Sequence, residues 1–271
     1  MKIKFIICCL LLCSFMELKA QNSISKPFTI GESRVLKSEI LNEDRTLNIY
    51  LPENYDITKS YPVIYLLDGS ANEDFLHIAG LVQFHVMSFN MPQFIVVGIA
   101  NVDRKRDFTF HTDLEDLKKD YPTTGHSDKF IRFIEKELQP FITENYKTTD
   151  TKYLIGQSLG GLLATEILLN RPSLFTHYLI ISPSLWWDDE SLLKNAKLLL
   201  EKEKNRNQYV YISVGLKEHK TMVKDAKEFA SILKAQKNVK VDFNPMKTED
   251  HASILHVSIH EAFKKITAAK E

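Results

Sequence analysis

Between residues 34 and 51, apolar and polar positions alternate in two short runs, most clearly in Leu47-Asn48-Ile49-Tyr50-Leu51. A period of two marks a strand with one buried face, so 34–41 and 45–51 read as strands joined by Asn42-Glu43-Asp44. The pattern then changes. Pro62-Val63-Ile64-Tyr65-Leu66-Leu67 is nearly unbroken apolar sequence ending at Asp68-Gly69-Ser70, as expected of a strand buried on both faces. Further strands are predicted at 94–100, 178–181, 209–214 and 239–243. Helical spacing occupies 73–88, 127–146, 190–203, 220–237 and 254–269. Ser127 is the expected cap of the second of these helices, and Pro140 is expected to kink or end it. Residues 101–121 read as one long polar loop. Loops of that length within a compact domain are usually functional or disordered. From residue 61 onward strands alternate with helices, which predicts a mostly parallel α/β sheet covered on both faces. The first two strands are joined tightly enough to be antiparallel.

The stretch 153–170 organises this pattern. Tyr153-Leu154-Ile155 ends a buried strand, and Leu159, Leu162, Leu163, Ile167 and Leu168 share one helical face. Between them stands Gly156-Gln157-Ser158-Leu159-Gly160, followed by Gly161. Serine at the apex of a strand–turn–helix, with glycine two residues to either side, is a nucleophile elbow. The turn lifts the hydroxyl clear of the sheet, at a helix N-terminus that favours developing negative charge. An antiparallel start, a doubly wound remainder and a central elbow make up the α/β-hydrolase plan.

Composition narrows the partners. With 35 basic and 35 acidic residues and no basic stripe, nucleic acid is not an expected partner. The length of 271 residues suits one domain, expected at 21–271. Residues 1–20 read as a secretory signal peptide, with Lys2 and Lys4 before the short apolar run 5–15 and Ala20 before the cleavage point. An uncleaved anchor and a lipoprotein signal at Cys13 are the alternatives, although Leu12 is large for the latter. Cys8, Cys9 and Cys13 all fall within this segment. The exported form, periplasmic or secreted, would then be free of cysteine, which rules out a thiol enzyme or a cysteine–zinc site.

A serine hydroxyl needs a base to take its proton, and the base needs a partner to fix its tautomer. In this fold acid and histidine follow the serine in chain order. His251 lies after the last strand and before the last helix, where the base belongs, with His219 as the alternative. His177 falls at the start of a strand, the wrong end of the sheet. His77 and His85 lack ligand-spaced partners and read as structural or surface residues. Glu218, after the strand 209–214, is the candidate acid. Asp225 and Asp188 are alternatives, and with no acid a Ser–His dyad would remain. The oxyanion hole is expected from the N–H groups of Leu159 and Ser70, with Gly69 letting its loop approach the substrate.

These residues carry a family resemblance. The chain resembles the putative-esterase family of α/β-hydrolases, which includes siderophore esterases, feruloyl and acetyl-xylan esterases and S-formylglutathione hydrolase. The resemblance spans nearly all of 21–271. It rests on Arg45-x5-Leu51-Pro52, Tyr65-Leu66-Leu67-Asp68-Gly69, Val97-Gly98-Ile99 with 104–109, the elbow, Ser182-Pro183-Ser184-Leu185-Trp186-Trp187, Val214-Gly215 before Glu218, and Asp250-His251. Phe110 and Ala252-Ser253 depart from it, where proline and glycine are common. The resemblance implies a serine carboxylic-ester hydrolase working through an acyl-enzyme, with no metal and no organic cofactor. The Ser182–Trp187 stretch looks most like the siderophore-esterase branch. Polysaccharide trimming and non-catalytic ligand binding on the same scaffold are the competing readings. The expected substrate-binding residues are Gly69, Arg106, Trp186 and Trp187. Two adjacent indoles do not easily both point inward, so at least one is expected to line the cleft and to suit an aromatic acyl group.

Overall fold

The computed structural model describes residues 25–202 and 207–268. The leader expected at 1–20, with its cysteines, lies outside them. The chain begins with strands β1 (Glu32–Ser38), β2 (Glu43–Tyr50) and β3 (Tyr61–Leu66), then helix α1 (Phe75–Phe89) and β4 (Ile95–Ile99). The short helices α2 (Arg104–Phe108) and α3 (Glu115–Asp120) follow. Next come α4 (Ser127–Phe133), a π turn (Ile134–Leu138) and α5 (Gln139–Asn145). The second half is β5 (Thr148–Gln157), α6 (Leu159–Asn170), β6 (His177–Ile181), α7 (Trp187–Lys202) and β7 (Tyr209–Gly215), then α8 (Lys220–Lys234), β8 (Lys240–Met246) and α9 (Ile254–Ala268).

The strands form one sheet in the order β1-β2-β4-β3-β5-β6-β7-β8. β1 pairs with β2, and β2 with β4, antiparallel; every other pairing is parallel. This is the α/β-hydrolase arrangement. The central strands show why their sequences run apolar without a break. In β3, Val63 and Tyr65 enter the core with Phe130, Leu162 and Phe229, while Ile64 and Leu66 enter a second core with Ile78, Ile259 and Phe263. A period of two with both faces covered leaves no polar position.

Several expectations shift. The connection between β1 and β2 spans 39–42, ending at left-handed Asn42 with φ 54°. Residues 101–121 hold α2 and α3 instead of being an open loop. The Asp103 carboxylate accepts from the Arg106 N–H at 3.0 Å and caps α2. A helix of five residues is too short for a 3.6-residue period to show. Ser127 is not a cap: it is the first, buried residue of α4, and His126 holds the cap position without a side-chain bond. Pro140 neither ends nor breaks the helix, because the wide π turn just before it absorbs a residue with no N–H to give. β8 continues through Pro245, which an edge strand tolerates.

Arg45, fully buried, pairs with Asp107 and lies over the Phe130 ring at 5.1 Å. Asp107 also accepts from Arg106 Nε at 2.8 Å, and Arg106 grips Glu43. This network fixes α2 to β2, and α2 begins with Arg104, a residue of the site described below.

On the opposite face, α1 and α9 meet through paired imidazoles. His85 Nε2 lies 3.0 Å from His260 Nδ1, and the His77 and His256 rings are 3.8 Å apart. Burial, followed by His260 and Lys264, pushes His85 down to about 4, while Glu261 opposes. A base depressed in the folded state binds fewer protons there than in the unfolded chain. Its contribution is therefore complete above about pH 6.5 and is lost as pH falls from there toward about 4. Thermal or denaturant unfolding followed between pH 7 and 4.5 should show falling stability, at no more than about 1.4 kcal/mol per pH unit from this group. The slope should flatten in His85→Leu. An unchanged slope would show that His85 does not titrate in this range.

Candidate active site

β5 ends at Gln157 and α6 starts at Leu159, so Ser158 alone makes the turn, with φ 59° and ψ −118°. A non-glycine residue holds such a conformation only where its surroundings over-determine it. Here the Ser158 N–H donates to Ile181 O at 3.1 Å, and its carbonyl accepts from the N–H groups of Leu162 and Ser184 at 2.9 and 3.0 Å. Strand and helix approach so closely that a Cβ on Gly156 would collide with the Gly160 carbonyl. The hydroxyl faces Ser184 Oγ at 3.4 Å.

Ser158 opens into a pocket of about 440 Å³, which Ser184, Trp186, Lys217, Glu218, His219, Met222 and His251 help to line. His251 Nδ1 lies 2.7 Å from Glu218 Oε2. The Glu218 side chain is 1% exposed. Its other oxygen accepts from Ser182 Oγ at 2.5 Å and from the Gly215 N–H at 2.7 Å. Burial raises the pKa of this carboxyl, but the bonds from His251, Ser182 and Gly215 outweigh burial and hold it below the ordinary glutamate value. An ionised Glu218 requires the proton on Nδ1, which leaves Nε2 of a neutral imidazole free to accept.

A second pocket of about 380 Å³ shares Ser158 and His251 and is otherwise lined by Asp68, Glu73, Asp74, Arg104 and Gln157. Arg104 holds Asp68 through Nε and Nη2 at 2.6 and 2.9 Å. Burial, with Asp68 and Glu73 nearby, pushes Asp74 up to about 6 against the pull of Arg104. Ser158 and His251 therefore line both pockets, the larger together with Trp186, Lys217 and Asp250, the smaller together with Asp68, Asp74 and Arg104. Among the described residues no group of three or more histidine, cysteine or carboxylate side chains is arranged to hold a metal.

Other residues singled out from sequence are distributed differently. Leu159 is the first residue of α6, where a helix leaves its N–H without an internal acceptor. Ser70 stands outside the lining of both pockets, and its Oγ accepts from the Asn101 N–H at 3.3 Å. Gly69 is pressed against β4, where a Cβ would collide with Gly98, so its close approach is to the sheet and not to a substrate. Trp186 lines the larger pocket. Trp187 does not: it is fully buried, donates from Nε1 to Phe110 O at 3.1 Å and packs edge-on against Tyr121. Arg106 is likewise absent from both pockets, being held by Glu43 and Asp107. The arginine at the site is Arg104.

His219 caps α8, with its Nδ1 accepting from the Thr221 N–H at 3.3 Å. Asp188 takes the Thr112 hydroxyl at 2.6 Å, and buried Asp225 lies 3.4 Å from Lys224 Nζ; neither is paired with His251. Sequence alone assigns no role to Ser182, Ser184, Gln157 or Lys217, although Ser182 and Ser184 sit in the recognisable Ser-Pro-Ser stretch.

The sheet, the elbow and the pocket define a serine hydrolase of the α/β-hydrolase fold. The sequence model described as "Putative esterase" matches residues 38–261, and the chain belongs to that family of carboxylic-ester hydrolases. It is 30% identical to the ferri-bacillibactin esterase BesA of Bacillus subtilis, over 91% of this chain and 93% of that one. Among solved structures, an IroE-like serine hydrolase from Shewanella oneidensis superposes with a TM-score of 0.81 at 30% identity, covering 88% of this chain and 80% of that one. The BES protein of Bacillus cereus gives 0.80 at 28% identity, covering 90% and 98%.

The two tryptophans should separate in stability measurements. Trp187→Ala should cost about 3–5 kcal/mol in denaturant unfolding, as a large buried side chain does. Trp186→Ala, at a pocket wall, should cost under about 1 kcal/mol. Similar losses for both would contradict this division.

Proposed function

We propose that the protein is an exported esterase that cleaves siderophore-type esters bearing an aromatic acyl group, through an acyl-enzyme on Ser158. One observation carries the reading: His251, with its Nδ1 on the buried Glu218 carboxylate, shares a pocket with a serine set on a strained elbow. Nε2 of His251 takes the Ser158 proton as Oγ attacks the ester carbonyl. The tetrahedral oxyanion is met by the N–H of Leu159, the first residue of α6, whose helix leaves it without an internal acceptor. Collapse breaks the ester bond, and His251 returns the proton to the departing alcohol oxygen. Water then repeats the sequence on the acyl-enzyme, releasing the acid and restoring Ser158. Ionised Glu218 stabilises the imidazolium that exists between the two transfers.

The substrate class is supported by Trp186 and by the similarity to a ferri-bacillibactin esterase. An indole face suits a flat aromatic acyl group, and the Lys217 ammonium in the same pocket suits its acidic phenol oxygens. Export is supported by the charged and apolar pattern of residues 1–20. Among the described residues, no helix is long and apolar enough to cross a membrane.

Hydrolysis of a tri-catecholate siderophore with and without iron, a feruloyl sugar, an acetylated xylan and a short nitrophenyl ester tests the assignment. The siderophore should give the highest kcat/KM; a clear preference for the sugar or the xylan would overturn the substrate class. Ser158→Ala and His251→Ala should each lower kcat by at least about 10⁴-fold while folding is kept. Glu218→Gln should be about two orders of magnitude milder, since the amide still fills the space but cannot stabilise the imidazolium. Near-normal turnover in Ser158→Ala would contradict the mechanism.

A further inference from the structure

Gln157 immediately precedes the serine, and it touches two other loops of the site. Its Nε2 donates to the carbonyl oxygen of His251 at 2.6 Å. Its own carbonyl accepts from Arg104 Nη2 at 3.2 Å, and Arg104 is paired with Asp68. A polar chain therefore runs from the loop after β3, through the elbow, to the loop after β8.

Outside its own residues, that last loop is tied to the segment after β7, where the Lys217 N–H donates to Glu249 O at 3.1 Å and Glu218 takes His251 Nδ1, and to Gln157. His251, Ala252 and Ser253 are exposed. Much of their hydrogen bonding is local: the N–H groups of Ala252 and Ser253 donate to Asp250 Oδ1 at 2.9 and 3.0 Å, and Ser253 Oγ donates to Glu249 at 2.7 Å. β5 and β8 are separated by two strands, so the sheet does not bring the elbow and this loop into direct register. Glu218 fixes the direction of Nδ1, but an imidazole can swing about that bond when its backbone moves. The amide of Gln157 is bonded to that backbone at the His251 carbonyl.

We propose that Gln157 is a positioning residue for His251. Its amide clamps the His251 carbonyl and so sets where the imidazole stands relative to Ser158, with which it shares both pockets, and Arg104 steadies Gln157 in turn. This rests on the reading of Ser158 and His251 as nucleophile and base. The Arg104 bond goes to the backbone of Gln157, so substituting the side chain removes the clamp and leaves that anchor in place. Glutamate at this position has the same size, but as a carboxylate it cannot donate and it repels the carbonyl. Leucine fills similar space with no donor.

Gln157→Glu and Gln157→Leu should be compared with wild type on a short nitrophenyl ester, with melting temperature and the inhibition constant of an uncharged, non-hydrolysable analogue of that ester measured alongside. We expect kcat to fall about 10- to 100-fold, the scale of a small misplacement of a reacting group. The inhibition constant and melting temperature should stay close to wild type. A kcat within twofold of wild type in either folded variant overturns the proposal. So does a loss of kcat matched by an equal weakening of analogue binding, or failure of both variants to fold, since the amide would then be structural. Ser158→Ala and His251→Ala belong in the same assay. Activity kept in those two defeats the underlying reading; activity lost there but kept in both Gln157 variants defeats this inference alone.

Discussion

The turn at Ser158 is the constraint around which the rest of the site is arranged. One residue must reverse a buried strand into a buried helix, so its backbone takes a positive φ that a side chain ordinarily avoids. The contacts that hold it come from β6 and from the Ser182–Ser184 segment, through Ile181 O and the Ser184 N–H. The parallel sheet therefore aims the nucleophile as well as forming the core. Strain of this kind persists because the surrounding packing fixes it, and it places the hydroxyl at a helix N-terminus.

The second demand is a carboxylate kept charged while almost wholly out of water. Burial by itself pushes the Glu218 carboxyl toward its neutral form. Ser182 Oγ, the Gly215 N–H and His251 Nδ1 occupy its two oxygens and reverse that tendency. The same segment that braces the elbow thus also feeds the acid: the Ser184 N–H goes to Ser158, and Ser182 Oγ goes to Glu218. A buried ionised group is sustained only when its bonds are satisfied, and the Ser182 hydroxyl supplies one of those that Glu218 needs.

Much of the plan could be read from residue types, because the signals were local. Unbroken apolar runs gave away the central strands, and the glycines around Ser158 marked the elbow. Chain order placed His251 and Glu218 after the last two strands, and the structure brings them within 2.7 Å. Other features depend on direction or distance. Trp186 and Trp187 are neighbours of one chemical type, and only the fold turns one into the pocket and the other into the core. Arg104 and Arg106 sit two residues apart on α2, about 200° around a helix, so one meets Asp68 and the other Glu43. Nothing local to Gln157 reveals a contact with a carbonyl 94 positions away.

The catalytic cycle turns on Ser158 forming the covalent bond. Acid quenching during turnover of a saturating nitrophenyl ester, followed by mass analysis of the intact protein and its peptides, tests this directly. The account predicts a mass increase equal to one acyl group, located on the peptide that contains Ser158. Turnover with Ser158 unmodified, or an adduct on another side chain, would contradict it.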